Sequence, residues 1–374
     1  MKRQRVVLLG AAGSIGTQAI SVIADYPDRF ELVGLAVGHE TDATRALAAS
    51  LPEATMVIGL EGESLSDAML STAPDIVVAA ATGLVGLRTT IDALDAGAAV
   101  AIANKETIVA GGELVLSAAH RAAIKHDTSL LERLRPVDSE HSALWQCLAG
   151  ESMSRVERLW LTASGGPFRT WDASRIANAT VDEALQHPTW RMGGKITIDS
   201  ASLVNKGLEV IEAHRLFQTP MDSISILLHP QSLMHGAVSF TDGSMKAQFG
   251  EPDMRTPISY ALHYPERSPL AVQRVNLAEM GKLTFEEPDL GRFPGLNVAL
   301  TAGRAGGASP ATLIVADDVA TSRFAKGEIP FGDIPALLED ACEQFGIRNE
   351  PETIDELSDL VREVKTFAES WRAS

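Results

Sequence analysis

Asp138 and Glu140 stand two apart with Ser139 between them, in the segment Arg135-Pro136-Val137-Asp138-Ser139-Glu140-His141-Ser142-Ala143. If residues 137–141 are extended, both acid side chains point to the same side. Two converging carboxylates beside a hydroxyl can hold a hard divalent cation, which takes oxygen ligands and normally wants one further carboxylate or water. A polar turn after a strand explains the same residues without any chemistry.

Other segments offer groups suited to anions. Gly10-Ala11-Ala12-Gly13-Ser14-Ile15-Gly16 has the spacing G-x-x-G-x-x-G between an apolar run and a helical pattern. Exposed backbone N–H groups and a helix N-terminus there would hold a pyrophosphate. Gly38-His39-Glu40 falls where such a domain reads the ribose: an acid favours the unphosphorylated cofactor and a base favours the 2′-phosphate. Both are present, since a histidine carries part of a positive charge near neutral pH, and the choice of cofactor stays open at this site. Asn104-Lys105-Glu106 ends a further apolar run, and Lys105 there could reach a substrate oxygen or stand solvated before a helix. Ser164-Gly165-Gly166-Pro167 offers a hydroxyl and close backbone approach to a phosphate, or a plain loop. The run His187-Pro188-Thr189-Trp190-Arg191-Met192-Gly193-Gly194 has the flexible glycines and large side chains of a closing lid, or of a surface loop with one buried tryptophan.

A helix is expected over residues 200–217. At 100° per residue, Leu203, Val204, Leu208 and Ile211 share one arc, and Asn205, Lys206 and Glu209 share another. Amide, cation and carboxylate project together, either toward a ligand or as a solvent-facing stripe with a Lys206–Glu209 pair. Ser200 stands as a cap or anion ligand near the N-terminus.

The elements that must position these residues alternate. Strands are expected at 6–9, 31–37, 75–80 and 98–103, with helices through about residue 25 and at 87–96, which predicts a doubly wound parallel sheet. After residue 137 the pattern becomes mixed: strands at 159–162 and 224–228, then a hairpin about Asp242-Gly243. Prolines and glycines mark 264–295 as a connecting segment, and runs such as 334–345 and 354–371 read as helical. The expected fold is α/β: an N-terminal Rossmann-type domain over 1–137, an α+β catalytic domain over 138–263, a linker over 264–295 and a helical domain over 296–374.

The totals exclude several classes. With 374 residues and 45% hydrophobic content, the chain can bury more than one core. A net charge of -17 argues against bulk capture of nucleic acid or of an anionic membrane, so an anionic substrate must be held locally. The two cysteines, Cys147 and Cys342, lie far apart in sequence and fit neither a disulfide framework nor a thiolate zinc site, which points to a reducing, cytoplasmic compartment. Lys2, Arg3 and Arg5 before an apolar run resemble a signal peptide, but glycines interrupt the run after four residues. A soluble protein with an intact N-terminus is expected.

Taken in order, the segments 13–16, 103–106, 136–141, 164–169, 187–188, 199–201, 205–209, 229–232 and 251–257 resemble the 1-deoxy-D-xylulose 5-phosphate reductoisomerase family. That resemblance implies an enzyme of the non-mevalonate isoprenoid pathway, which rearranges a phosphorylated ketose by retro-aldol cleavage and re-addition and reduces the product with NADPH. It implies that Asp138, Glu140 and Glu209 bind Mg²⁺ or Mn²⁺, with Co²⁺ an alternative, and that Ser164, Ser200, Asn205 and Lys206 hold the phosphate. Lys105, Ser139 and His187 would meet the rest of the substrate, Trp190 and Met192 would belong to the lid, and a homodimer is expected. Gly10, Ala12, Gly13, Ser14, Ile15, Gly38, His39, Glu40, Asn104, Glu106 and Gly193 would lie along the cofactor. The chain departs from the family at Ala12, where a hydroxyl is usual, at His39, where a base is usual, and at Glu40, where an amide is usual. Asp317-Asp318 and the charged run Glu132-Arg133-Leu134-Arg135 are further departures, which touch packing rather than chemistry. Two other readings use the same first domain: a dehydrogenase of another phosphorylated metabolite, and a non-catalytic NADP(H)-sensing relative.

Overall fold

The computed structural model describes residues 2–190 and 192–373. The chain divides into two compact units, one formed by residues up to Trp145 with Asp253–Gln273, the other by Gln146–Pro252 with the residues from Arg274 on.

Unit 1 is built on a six-stranded sheet of β1 (Gln4–Leu9), β2 (Phe30–Val37), β3 (Thr55–Ile58), β4 (Ile76–Ala79), β5 (Ala99–Ile102) and β6 (Leu134–Pro136). Its order is β3-β2-β1-β4-β5-β6, and every pairing is parallel. Parallel strands covered on both faces read as unbroken apolar runs, which is why Val6, Val7, Leu8 and Leu9 are all 0% exposed. Helices Ser14–Ala24, Asp42–Ser50, Gly62–Leu70, Leu87–Ala96 and Lys105–His126 connect the strands. Helix Arg255–His263, far along the chain, returns to this unit, where Ile258, Ala261 and Leu262 join the core formed by Val6, Leu8 and Val137. Buried Arg135 ties it down by donating to the Ala261 carbonyl at 2.8 Å.

Unit 2 contains a four-stranded sheet of β7 (Val156–Ala163), β8 (Ile224–Leu228), β9 (Met234–Phe240) and β10 (Met245–Phe249), in the order β10-β9-β7-β8. β7 and β8 are parallel and the other pairs antiparallel, so the sheet is mixed as expected. Helices Pro294–Ala305, Ser309–Ala325, Ile334–Phe345 and Ile354–Ser370 make the C-terminal part helical. Among the described residues, no helix is long and apolar enough to cross a membrane.

Two local expectations are corrected. Residues 137–141 are not an extended strand: β6 stops at Pro136 and helix Ser139–Leu148 begins at once, with the Ser142 N–H bonded to the Asp138 carbonyl at 2.8 Å. Acids at a helix start meet the positive end of its dipole, so Asp138 and Glu140 suit a helix entry better than a strand. Residues 200–217 are not one helix: Gly194–Ala201 and Val204–Phe217 are separated at Leu203, whose φ is +58°.

Candidate active site

In unit 1 the glycine turn joins β1 to helix Ser14–Ala24. Gly10 has φ +79°, and a Cβ there would come within 2.5 Å of the Ala80 carbonyl oxygen, so only glycine fits. No side chain caps the helix at Gly13, and Ala12, Gly13 and Ser14 are exposed, with Ile15 half-buried. The N–H groups of its first turn therefore face outward, as a pyrophosphate cradle needs. Gly38, His39 and Glu40 follow β2 and are exposed.

Asn104, 5% exposed, caps helix Lys105–His126 by accepting from the Thr107 N–H at 2.6 Å, while its amide donates to the Ala81 and Gly83 carbonyls. One side chain thus ties the end of β5 to the loop after β4. Half-buried Glu106 follows, and the buried Lys105 ammonium bonds Asp138 at 2.7 Å. The Ser139 hydroxyl donates to Glu140, and the Ser139 N–H donates to Asp138 Oδ1 at 3.1 Å. The two acids share the start of one helix, each already engaged with its neighbours.

In unit 2, Ser164 follows β7. A Cβ at Gly166, where φ is +65°, would come within 2.7 Å of the Ser200 carbonyl oxygen, so this loop lies against the end of helix Gly194–Ala201. Ser200 is therefore at a helix C-terminus, not the expected N-terminus. After a two-residue connection, Asn205 and Lys206 lie in the first turn of helix Val204–Phe217 and both donate to Glu209, one turn on. Lys206 and Glu209 side chains are only 5% and 2% exposed, so this pair is not a solvent-facing stripe. Ser164 also lines an open groove of about 320 Å³ with Gly166, Pro167, Arg169, Trp171 and Pro188.

His187 joins Ser164 at 3.0 Å through Nε2, while Nδ1 accepts from the backbone N–H groups of Thr189 and Trp190 at 3.2 and 2.8 Å. An Nδ1 that accepts leaves the proton on Nε2, so His187 donates to Ser164. Burial pushes this imidazole down to about 4. The Gly166 N–H donates to Ser164 as well, at 3.2 Å, and an anion can take the remaining Ser164 O–H. Trp190 lies 6.4 Å from the buried His235 ring, and Met192 and Gly193 lead into helix Gly194–Ala201. Arg191 lies outside the described residues.

Lys195 is absent from the sequence reading, and Asp317 figures there only as a departure that touches packing. The Lys195 ammonium sits 2.8 Å from Asp199 and 2.5 Å from the fully buried Asp317, fastening helix Gly194–Ala201 to helix Ser309–Ala325. Only the i,i+4 spacing of Lys195 and Asp199 was visible in the sequence. His235 was missed too: buried, bonded through Nε2 to the Gly250 carbonyl at 3.1 Å, and pushed down to about 4 mainly by burial.

Family models for 1-deoxy-D-xylulose 5-phosphate reductoisomerase match residues 6–61 and 42–112, and models for its C-terminal domains match 134–217 and 249–367. The chain is 45% identical to the reductoisomerase of Geobacillus sp. (strain WCH70), covering 98% of this chain and 99% of that one. It is 46% identical to that of Pelotomaculum thermopropionicum, covering 93% of each. A solved structure of the Zymomonas mobilis enzyme in complex with NADPH superposes with TM-score 0.86 at 34% identity, covering 99% of both chains. A reductoisomerase in complex with NADPH, fosmidomycin and magnesium gives 0.88 at 33%, covering 98% and 97%.

Proposed function

The chain belongs to the 1-deoxy-D-xylulose 5-phosphate reductoisomerase family, and from that membership we infer that it converts 1-deoxy-D-xylulose 5-phosphate to 2-C-methyl-D-erythritol 4-phosphate with NADPH and a divalent metal ion. It is an NADPH-dependent oxidoreductase of isoprenoid precursor biosynthesis. The observation that carries this reading is that the likeness runs the length of the chain. A dehydrogenase sharing only the first domain would match there and fail beyond it.

The donor chemistry of the proposed metal ligands, Asp138, Glu140 and Glu209, fits a hard cation: carboxylate oxygens only, and no sulfur. Mg²⁺ fits this set, with Mn²⁺ and Co²⁺ as substitutes. When bound, the metal supplies Lewis-acid polarisation of the substrate carbonyl and NADPH supplies the hydride. The chain's own residues do the rest. Ser164, Ser200, Asn205 and Lys206 hold the phosphate through hydroxyl, amide and ammonium donors, supported by the contact of the Ser164 loop with Ser200. Lys105, Ser139 and His187 orient the remaining substrate oxygens, and Trp190 and Met192 exclude water. Gly10, Ala12, Gly13, Ser14, Ile15, Gly38, His39, Glu40, Asn104, Glu106 and Gly193 line the cofactor.

The functional segments proposed are nucleotide binding over 1–137, catalysis over 138–263, a linker over 264–295 and the helical part beyond. The protein acts as a cytoplasmic homodimer. Its two widely spaced cysteines support a reducing compartment, and the terminal strand β10 supports association.

The test is loss of NADPH absorbance with 1-deoxy-D-xylulose 5-phosphate and Mg²⁺, expected to stop on chelation and to resume with added metal. Glu209→Gln should abolish turnover while nucleotide binding persists. Absence of turnover with either nicotinamide cofactor would overturn the enzyme reading, and equal rates with NADH would overturn only the cofactor preference.

A further inference from the structure

Between Arg29 and Arg88 the sequence holds one lysine or arginine, Arg45, against eight acids. This stretch contains β2, β3 and β4, and the carboxyl end of β2 is where a doubly wound dinucleotide domain meets the adenosine ribose. NADPH differs from NADH by a 2′-phosphate at that ribose. A protein that prefers NADPH needs a cation there, and the surrounding chain is acidic.

The local geometry puts Arg45 at that point. β2 ends at Val37, Gly38, His39 and Glu40 are exposed, and helix Asp42–Ser50 follows. Its start is closed by a capping box: the Thr44 N–H donates to Thr41 Oγ1 at 3.1 Å and the Thr41 N–H to Thr44 Oγ1 at 2.7 Å. With those amides engaged, charge recognition falls to side chains. Arg45, one turn into the helix, reaches back so that its guanidinium lies 3.1 Å from Glu40 and 2.6 Å from Asp42. The Arg45 and Glu40 side chains are each 58% exposed and Asp42 is 99% exposed. Ion pairs this exposed contribute little to stability, so they hold the guanidinium at the mouth of β2 without locking it. A phosphate offers the same fork a stronger bidentate partner.

We propose that Arg45 recognises the 2′-phosphate of NADPH, with Glu40 and Asp42 holding its guanidinium at the ribose end of β2 until the phosphate replaces them. Before the cofactor binds, Glu40 faces the arginine, and it lines the cofactor site beside it. This inference rests on the NADPH reading above and names the residue that makes the choice.

The test is equilibrium binding to the otherwise intact chain, without turnover, of NADPH, NADH, adenosine 2′,5′-bisphosphate and adenosine 5′-monophosphate. Arg45→Met should weaken NADPH and the bisphosphate on the order of 10- to 100-fold, the span for losing a charge-assisted contact. Binding of NADH and the monophosphate should stay within about twofold, and Arg45→Lys should recover part of the loss. A native chain that prefers NADPH, with an Arg45→Met variant that binds it equally well, overturns the proposal. So does a parallel loss of NADH binding, which would mark Arg45 as structural. If the native chain binds no NADPH, the cofactor reading itself fails and this inference falls with it.

Discussion

His187 accepts at Nδ1 from the successive backbone N–H groups of Thr189 and Trp190, so the imidazole can work only as a neutral Nε2–H donor. Protonating Nδ1 would cost both of those bonds. Burial enforces the same state by holding the group at about 4, against an ordinary value near 6.5. Over the lower range the unfolded chain takes up the proton first. The stability gained by keeping His187 neutral is thus complete above pH of about 6.5 and is lost as pH falls toward 4. Activity should not follow that titration near neutrality. His187→Gln, whose amide can accept and donate in the same directions, should keep more kcat/KM than His187→Ala, which should lose on the order of 10- to 100-fold. The ratio of native to Gln rates should be flat from about pH 6 to 9, where a neutral donor does not titrate. A ratio that changes steeply across that interval would show that His187 works as an acid or base instead. The sequence displayed the type of this residue and its place in a glycine-bounded run. Its tautomer came only from the fold, because the backbone groups that set it belong to a turn with no side-chain signature.

Leu203 shows how an element can be legible while its course is not. The parallel strands were readable because strands buried on both faces become continuous apolar runs, and helix Leu87–Ala96 was readable from its periodicity. β3 and β6 were not: Thr55–Ile58 is four residues of an edge strand and only partly buried, and Leu134–Pro136 is three residues in a charged run. The break between Ala201 and Val204 was invisible for a different reason: helix breaks are announced by glycine or proline, and this one is made by a leucine held at φ +58° and 2% exposed. A left-handed leucine costs about 1 kcal/mol, which burial of its side chain offsets. The helix entry at Asp138 was misread in the same way, because the period-two spacing of two acids outweighed the capping signal that an aspartate gives before a helix. The break turns the chain so that Ser200 closes one helix while Asn205 and Lys206 open the next. Truncating Leu203 to Ala should cost about 2–4 kcal/mol of unfolding free energy. Leu203→Gly, although smaller still, should be more stable than Leu203→Ala by about 1 kcal/mol, the reverse of the order inside a helix. Denaturant melts of the two variants decide it, and the usual helical order would mean that the strain is not at this backbone position.

At -17 per chain, two copies repel each other, so association has to come from a local surface able to overcome the field. β10 ends the four-stranded sheet, and a terminal strand presents backbone groups that can pair with another chain. Proteins often guard such an edge with lysine. Here Lys246 is bonded to Glu151, which neutralises the guard, and Met245 and Phe249 on the same strand are 55% and 38% exposed. An apolar, charge-neutral edge on a strongly anionic molecule favours self-pairing only where the repulsion is screened. Sedimentation equilibrium should therefore find a dimer that tightens as ionic strength rises to about 0.15 M, where the Debye length is about 8 Å. An interface held by ion pairs would weaken over the same range. If the chain pairs through β10, Met245→Asp combined with Phe249→Asp should shift it toward monomer, since it adds like charges to that edge. A native chain that stays monomeric at all salt concentrations would remove the homodimer. A dimer indifferent to both substitutions would move the interface away from β10.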